Sequence, residues 1–302
     1  MPNVDRPSVL VLMGGPDAER EVSLHSGAAI ARALRECGSF DVLEQVIDRP
    51  DAEDLRGMPG DVIFPALHGA WGEGGPLQSL LEQIGRRYVG SRPPAAALAM
   101  DKLRTKSLLL DAGLPTPASC ELAGQMTCPL PPPLVLKPVD EGSSVDIRIC
   151  QTSEQVDQAL RELTPRRARL MAEQFIPGRE MTVAIITGEA YPVIEIVPGT
   201  PFYDYEAKYL RDDTTYTVDP DINSDLTDEL QSIALKIWEL VGCRHLARVD
   251  FRVDPDNRPW CLEINTMPGF TDHSLVPMAA AHRGLSMATL CEKLVRAALS
   301  DE

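Results

Sequence analysis

Cysteine is scarce in this 302-residue chain: seven residues (37, 120, 128, 150, 243, 261 and 291), an odd number, with no Cys-x-x-Cys pair. The pattern argues against a disulfide framework and a cysteine zinc site, and it suits a reducing compartment. Positive charge is also short. The 29 lysines and arginines face 45 acidic residues, a net charge of −16, and basic residues gather no further than pairs such as Arg86-Arg87 and Arg166-Arg167. With no basic stripe to release counterions, no nucleic acid partner is expected, and an acidic substrate would need a local basic pocket. Long apolar runs are missing too: "VLVLM" ahead of Gly14-Gly15 is too short for a secretory core or a spanning helix. These absences predict a cytoplasmic protein without a membrane partner.

What is present is a 44% hydrophobic content over a length that supports two or three structural units. Strand-like "SVLVLM" (8–13), "DVIFPAL" (61–67) and "RYVG" (87–90) alternate with helical spacing at 23–36 and 76–84, which predicts an α/β unit with parallel strands ending near Arg92. Pro93-Pro94 opens a helix expected to run to Gly113. A second unit follows, with Pro177-Gly178 as its far boundary. From residue 179 the pattern reads as two strands, a long loop (199–223), a helix (225–240), a hairpin around "DPDNRP" and a helical tail.

Chemistry gathers in three places. In "LVLKPVDEGSSVDIRIC" (134–150) a strand delivers Lys137 to a turn of small and hydroxylated residues suited to phosphate, although Asp146 adds a negative charge at its end. In "HLARVDFRV", strict alternation puts Arg248, Asp250 and Arg252 on one face; in "CLEINT", Glu263 and Asn265 share a face opposite Leu262 and Ile264. If those faces meet across the ladder, three hard oxygen donors converge that suit Mg²⁺, with a plain solvated sheet face as the other reading. The loop "NTMPGFTDHSLVP" then offers backbone amides to an oxyanion and a helix start at Ser274 to a carboxylate.

Eight segments, in order, carry a family resemblance: "GGPDAEREVSLHSG" (14–27), "HGAWGEGGPLQSLLE" (68–82), "MDKLRTK" (100–106), "LKPVDEGSS" (136–144), "GREMTVAI" (178–185), "YDYEAKY" (203–209), "ARVDF" (247–251) and "LEINTMPGFTDHSLVP" (262–277). Together they resemble the D-alanine-D-alanine ligases. The resemblance implies an α/β ATP-grasp fold of three units: 1–93, an N-terminal substrate-binding domain; 94–177, a central ATP-grasp domain; and 178–302, the catalytic ATP-grasp domain. It implies ATP as cosubstrate, Mg²⁺ (with Mn²⁺ as a substitute) and a homodimer. Position by position, it gives Lys102, Lys137, Ser144 and Lys208 to the phosphates, the segment Glu173, Gln174 and Ile176 to adenine, and Glu180 to the ribose. Glu19, Ser143 and Tyr209 form its hydrogen-bonded set around the first D-alanine. Without the family, Glu19 reads equally as a first-turn glutamate facing a helix dipole. His68, Ser274 and the Leu275 amide go to the second D-alanine, Arg248 and the Gly269 amide to the oxyanion, and Asp250, Glu263 and Asn265 to the metal.

The implied reaction is ATP-dependent ligation of two D-alanines through an acyl phosphate, for peptidoglycan precursors. Two other readings stay open: a related ligase with D-serine or a hydroxy acid as second substrate, where Tyr209 favours an amine over a hydroxy-acid acceptor, and a nucleotide-binding regulatory paralogue without turnover. Asp146 and the Pro16-Asp17 pair favour the latter.

Overall fold

The computed structural model describes residues 6–122, 127–142, 145–199, 213–271 and 273–301. Three sheets organise them. The first is parallel, in the order β2-β1-β3-β4, built from β1 (Ser8–Gly14), β2 (Asp41–Ile47), β3 (Val62–Pro65) and β4 (Arg87–Tyr88). Alternation along β1 sends Val9, Val11 and Met13 into one core cluster and Leu10 and Leu12 into another, as a parallel sheet covered on both faces requires. Helix α1 (Arg20–Cys37) covers the first face, while α2 (Ala52–Gly57), α3 (Gly69–Gly72) and α4 (Pro76–Gln83) follow on the connections.

The stretch after Pro93 is not one helix. It divides into α5 (Pro93–Met100) and α6 (Lys102–Asp111) at Asp101, whose ψ of 97° leaves the helical region and whose Oδ1 accepts from Arg104 N–H at 3.0 Å. An aspartate satisfies the first amides of a new helix better than it continues an old one. The break sets Lys102 at the start of α6, where its own N–H donates to Val139 O.

The second sheet, antiparallel and ordered β5-β8-β6-β7, consists of β5 (Ser119–Glu121), β6 (Leu134–Pro138), β7 (Arg148–Cys150) and β8 (Leu170–Gln174), with α7 (Ser153–Leu163) packed on it. The third, ordered β11-β10-β9-β12-β13, consists of β9 (Arg179–Ile186), β10 (Glu189–Val197), β11 (Thr215–Val218), β12 (Leu246–Val253) and β13 (Pro259–Asn265). Strand β11 lies inside the stretch expected to be a loop. Helix α8 (Ser224–Val241) buries Leu230, Ile233, Ile237 and Val241 against this sheet. The last helices, α9 (Leu275–His282) and α10 (Met287–Ser300), join the core that contains β1 and α1, so the chain's end packs beside its beginning. All seven cysteines are free. Among the described residues no helix is long and apolar enough to cross a membrane.

Candidate active site

The β12–β13 ladder pairs Arg248 with Asn265 and Asp250 with Glu263, so the polar faces meet as alternation requires. Asp250 is held by four donors: Arg248 Nε and Nη2 at 2.8 and 2.7 Å, Thr182 Oγ1 at 2.6 Å and Asn265 Nδ2 at 3.2 Å. Alternation fails one residue further on. A bulge between Asp250 and Phe251 shifts the register, and Leu262 joins Glu263 on the cleft wall instead of facing away from it with Ile264. Glu263 Oε2 lies 3.3 Å from Lys102 Nζ, which also donates to Glu141 O at 2.7 Å. No group of three or more His, Cys, Asp or Glu suited to a metal occurs among the described residues; the candidate set is two carboxylates and one amide.

The two larger clefts at this ladder adjoin. The larger, about 1000 Å³, lies between the second and third sheets and is lined by Lys102, Lys137, Glu173, Gln174, Ile176 and Glu180 among others. Gln174 and Phe175 donate their N–H groups to Ala118 O and Pro133 O, and Ile176 O accepts from Arg252 Nε. The other cleft, about 690 Å³, is lined by Glu19, His68, Asn265, Gly269, Ser274 and Leu275 among others. Gly142, Arg248, Glu263 and Leu275 line both.

Glu19 is the N-cap residue of α1, yet its side chain makes no capping bond there, and a Cβ on Gly142 would come within 3.0 Å of its Oε1. The carboxylate thus abuts the phosphate-type turn, not its own helix end. Asp17 explains itself: its Oδ2 accepts from Trp71 N–H at 3.0 Å, satisfying an amide of α3. Ser274 Oγ accepts from Thr271 N–H at 2.9 Å and does not cap α9, so the Leu275 amide opens that helix without it.

His68 is buried with both ring nitrogens engaged, Nδ1 at 3.0 Å from Met267 O and Nε2 at 3.3 Å from Ser26 Oγ. A carbonyl only accepts, so Nδ1 carries the proton; Nε2 accepts from the Ser26 hydroxyl, which itself accepts from Phe270 N–H at 3.1 Å. The histidine braces the 267–270 loop from below. Burial lowers its pKa to about 4, and burial lowers that of His245 to about 4 as well. Because the unfolded chain binds these protons near 6.5 and the folded chain only near 4, the stability gained by keeping the rings neutral is full above 6.5 and lost as pH falls towards 4. The urea midpoint should therefore drop between pH 7.5 and 5 by the equivalent of about 2 kcal/mol for each ring. His68→Gln should remove its share of that slope; an unchanged slope would show that His68 is not held neutral.

Sequence reasoning passed over Glu73, which sits in a quoted motif but reads there as an ordinary turn glutamate. It is buried, lines the second cleft and accepts from Gly69 N–H at 3.0 Å. Burial, with the neighbouring Glu19 carboxylate, raises its pKa well above the usual carboxylate range.

Asp146 does not line either cleft. Its φ of 55° is left-handed, and its carboxylate faces Arg167, with Nε at 2.7 Å and Nη2 at 2.6 Å, and Arg166 at 3.4 Å. Arg148, the partner that strand alternation suggests, is more distant at 3.8 Å. Glu141, at the turn's other end, pairs with Arg167 too. Asp146→Gly keeps the backbone angle and removes a pair on the far side of the turn, so the Michaelis constant for ATP should move by less than about threefold while stability falls by about 1 kcal/mol. A tenfold gain in ATP affinity would show that the carboxylate faces the nucleotide after all. Ser143, Ser144, Lys208 and Tyr209 lie outside the described residues.

A family model for the D-ala D-ala ligase C-terminus matches residues 114–296. A D-alanine–D-alanine ligase of Bordetella pertussis is 46% identical over 292 residues, which span 93% of this chain and 92% of that protein. Among solved structures, the D-alanine–D-alanine ligase of Bacillus anthracis complexed with ATP superimposes with a TM-score of 0.84 at 29% identity, covering 97% of each chain. The VanG D-Ala:D-Ser ligase of Enterococcus faecalis gives 0.83 at 27% identity, covering 97% of this chain and 99% of that one.

Proposed function

The chain belongs to the D-alanine–D-alanine ligase family, and from that premise we propose how its two clefts divide the work of joining two D-alanines with ATP. The larger cleft takes ATP and the smaller takes the amino acids. The observation that carries this division is the shared wall: Arg248 and Glu263 border both clefts, so a phosphoryl group and an acceptor amine can meet there.

A carboxylate is a poor electrophile. The first D-alanine, with its ammonium on Glu19, attacks the γ-phosphorus through its carboxylate oxygen, and ADP leaves. Lys102 and Lys137 orient the α and β phosphates as point charges, with Lys208 on the transferred group. Asp250, Glu263 and Asn265 are hard donors in register and would hold Mg²⁺, or Mn²⁺, which when bound supplies charge neutralisation for phosphoryl transfer. Ser274 Oγ and the Leu275 amide orient the second D-alanine by its carboxylate. Its amine attacks the acyl carbon, phosphate departs, and Arg248 with the Gly269 amide stabilises the oxyanion between those events. Arg248 spans Asp250 in this structure; reaching the oxyanion would release lone pairs of that carboxylate for a cation.

Ser143 and Tyr209 complete the set with Glu19, and their segments would exclude water from the acyl phosphate. Glu180 serves the ribose, and the 173–176 backbone the base. The acidic, disulfide-free chain fits a cytoplasmic biosynthetic enzyme. The homodimer that the family resemblance implies is part of this reading.

Purified protein with ATP and Mg²⁺ should release ADP in step with dipeptide when D-alanine is added and little without it. ADP release indifferent to D-alanine would refute the ligase assignment, and D-serine or D-lactate outcompeting D-alanine as acceptor would reassign the second substrate.

A further inference from the structure

Behind the ATP cleft lies a charge that the mechanism above does not use. Lys106, one turn along α6 from Lys102, is only 1% exposed. Its Nζ donates to Thr116 Oγ1 at 2.7 Å, and Thr116 spends its own proton on Cys261 O at 2.8 Å. The same Nζ lies 2.6 Å from Glu173 Oε2, an ion-pair distance, although the angle is not that of an aligned hydrogen bond. On the other side Lys137 Nζ donates to Glu173 Oε1 at 2.8 Å. Lys137 and Glu173 line the cleft, and Lys106 does not. One buried carboxylate is therefore shared by two ammonium groups, one facing the nucleotide space and one behind it.

The charge count matters. Two cations and one anion leave this triad at +1, which attracts phosphate; Lys137 and Glu173 alone would form a neutral pair, each satisfying the other. Burial by itself would raise the Glu173 carboxyl, but Lys137 and Lys106 outweigh it and hold it below the usual carboxylate range. Burial lowers the Lys106 ammonium, with Glu173 pulling it back up. The segment "MDKLRTK" ends on Lys106 but does not reveal this arrangement, which forms where the Lys106 side chain reaches from α6 to Glu173 on β8.

We propose that Lys106 is a positioning residue for nucleotide binding: it neutralises Glu173 from behind, so that Lys137 presents its full charge to phosphate. The inference rests on the reading of this cleft as the ATP site. A lysine that merely fills space would be replaceable by an uncharged chain of its length; a lysine that sets the charge count would be replaceable only if Glu173 lost its charge as well.

Calorimetric titration with ATP, in the absence of D-alanine, separates the two. Lys106→Met should weaken ATP binding at least about tenfold, with the kinetic effect falling on the Michaelis constant for ATP more than on kcat. Lys106→Arg should keep most of the affinity. The double variant Lys106→Met with Glu173→Gln removes one charge of each sign, returns this triad to +1, and should bind ATP at least about fivefold more tightly than Lys106→Met. Wild-type affinity in Lys106→Met, or a double variant as weak as the single, overturns the proposal. If Lys106→Met does not fold, Lys106→Gln, which keeps a donor towards Thr116 and Glu173 but no charge, takes its place: a loss of about tenfold or more supports the proposal and wild-type affinity overturns it. Tight ATP binding by the unaltered protein without dipeptide formation would sink the ligase mechanism and leave this charge count standing; no ATP binding at all would sink both.

Discussion

Glu263→Gln is expected to lower turnover by about two to three orders of magnitude and to leave the fold intact. The substitution keeps the shape of the side chain and removes one anionic donor from the face it shares with Asp250 and Asn265. A metal held there with its phosphate ligand would stabilise the transition state by several kcal/mol, and each 1.4 kcal/mol lost is a factor of ten. Lys102, which pairs with Glu263 at 3.3 Å, keeps its bond to Glu141 O, so no buried cation is stranded. The melting temperature should hold within about 2 °C, and the Mg²⁺ concentration needed for half-maximal rate should rise. A variant with normal turnover at limiting Mg²⁺ would remove Glu263 from the metal set.

That face was legible because a strand's period is two: from "ARVDF" and "LEINT" alone, Asp250, Glu263 and Asn265 fall on one side, and the ladder brings them into register. The bulge was not legible, because it depends on how β13 fits β12 and leaves no composition signal, so Leu262 appeared on the wrong side. Asp101 shows a local signal misjudged: an aspartate ahead of "KLR" is a strong N-cap, but the apolar periodicity runs through it and masks the break. Glu73 and Lys106 stayed hidden for a different reason. A charged side chain is ordinarily exposed, and only tertiary packing reveals that these two are buried and held by Gly69 and by Glu173 with Thr116. Asp146 was legible as a misplaced negative charge at the end of a phosphate-type turn; its partner was not, since Arg167 lies 21 residues away and arrives through the loop after α7.

Arg248→Met should abolish dipeptide formation by about two orders of magnitude while sparing the first half-reaction. Arg248 borders both clefts, where the proposed mechanism puts the acyl carbon when the second amine arrives, and loss of one oxyanion donor costs roughly 3 kcal/mol. Its guanidinium also grips Asp250 through both oxygens, so a second role competes with the first: holding that proposed metal ligand in place for phosphoryl transfer. The two roles act at different steps. Asp250 keeps Thr182 Oγ1 at 2.6 Å and Asn265 Nδ2 at 3.2 Å after the substitution, which is enough to fix its rotamer without Arg248. Hydroxylamine intercepts an acyl phosphate as the hydroxamate, so D-alanyl hydroxamate should still form in Arg248→Met at a rate within about tenfold of normal, while D-alanyl-D-alanine does not. Equal loss of hydroxamate and dipeptide would mean that Arg248 serves phosphoryl transfer through Asp250, and the oxyanion would then rest on the Gly269 amide alone. Lysine is no substitute in either role, because a single ammonium cannot span both oxygens of Asp250 or reproduce the planar pair of donors.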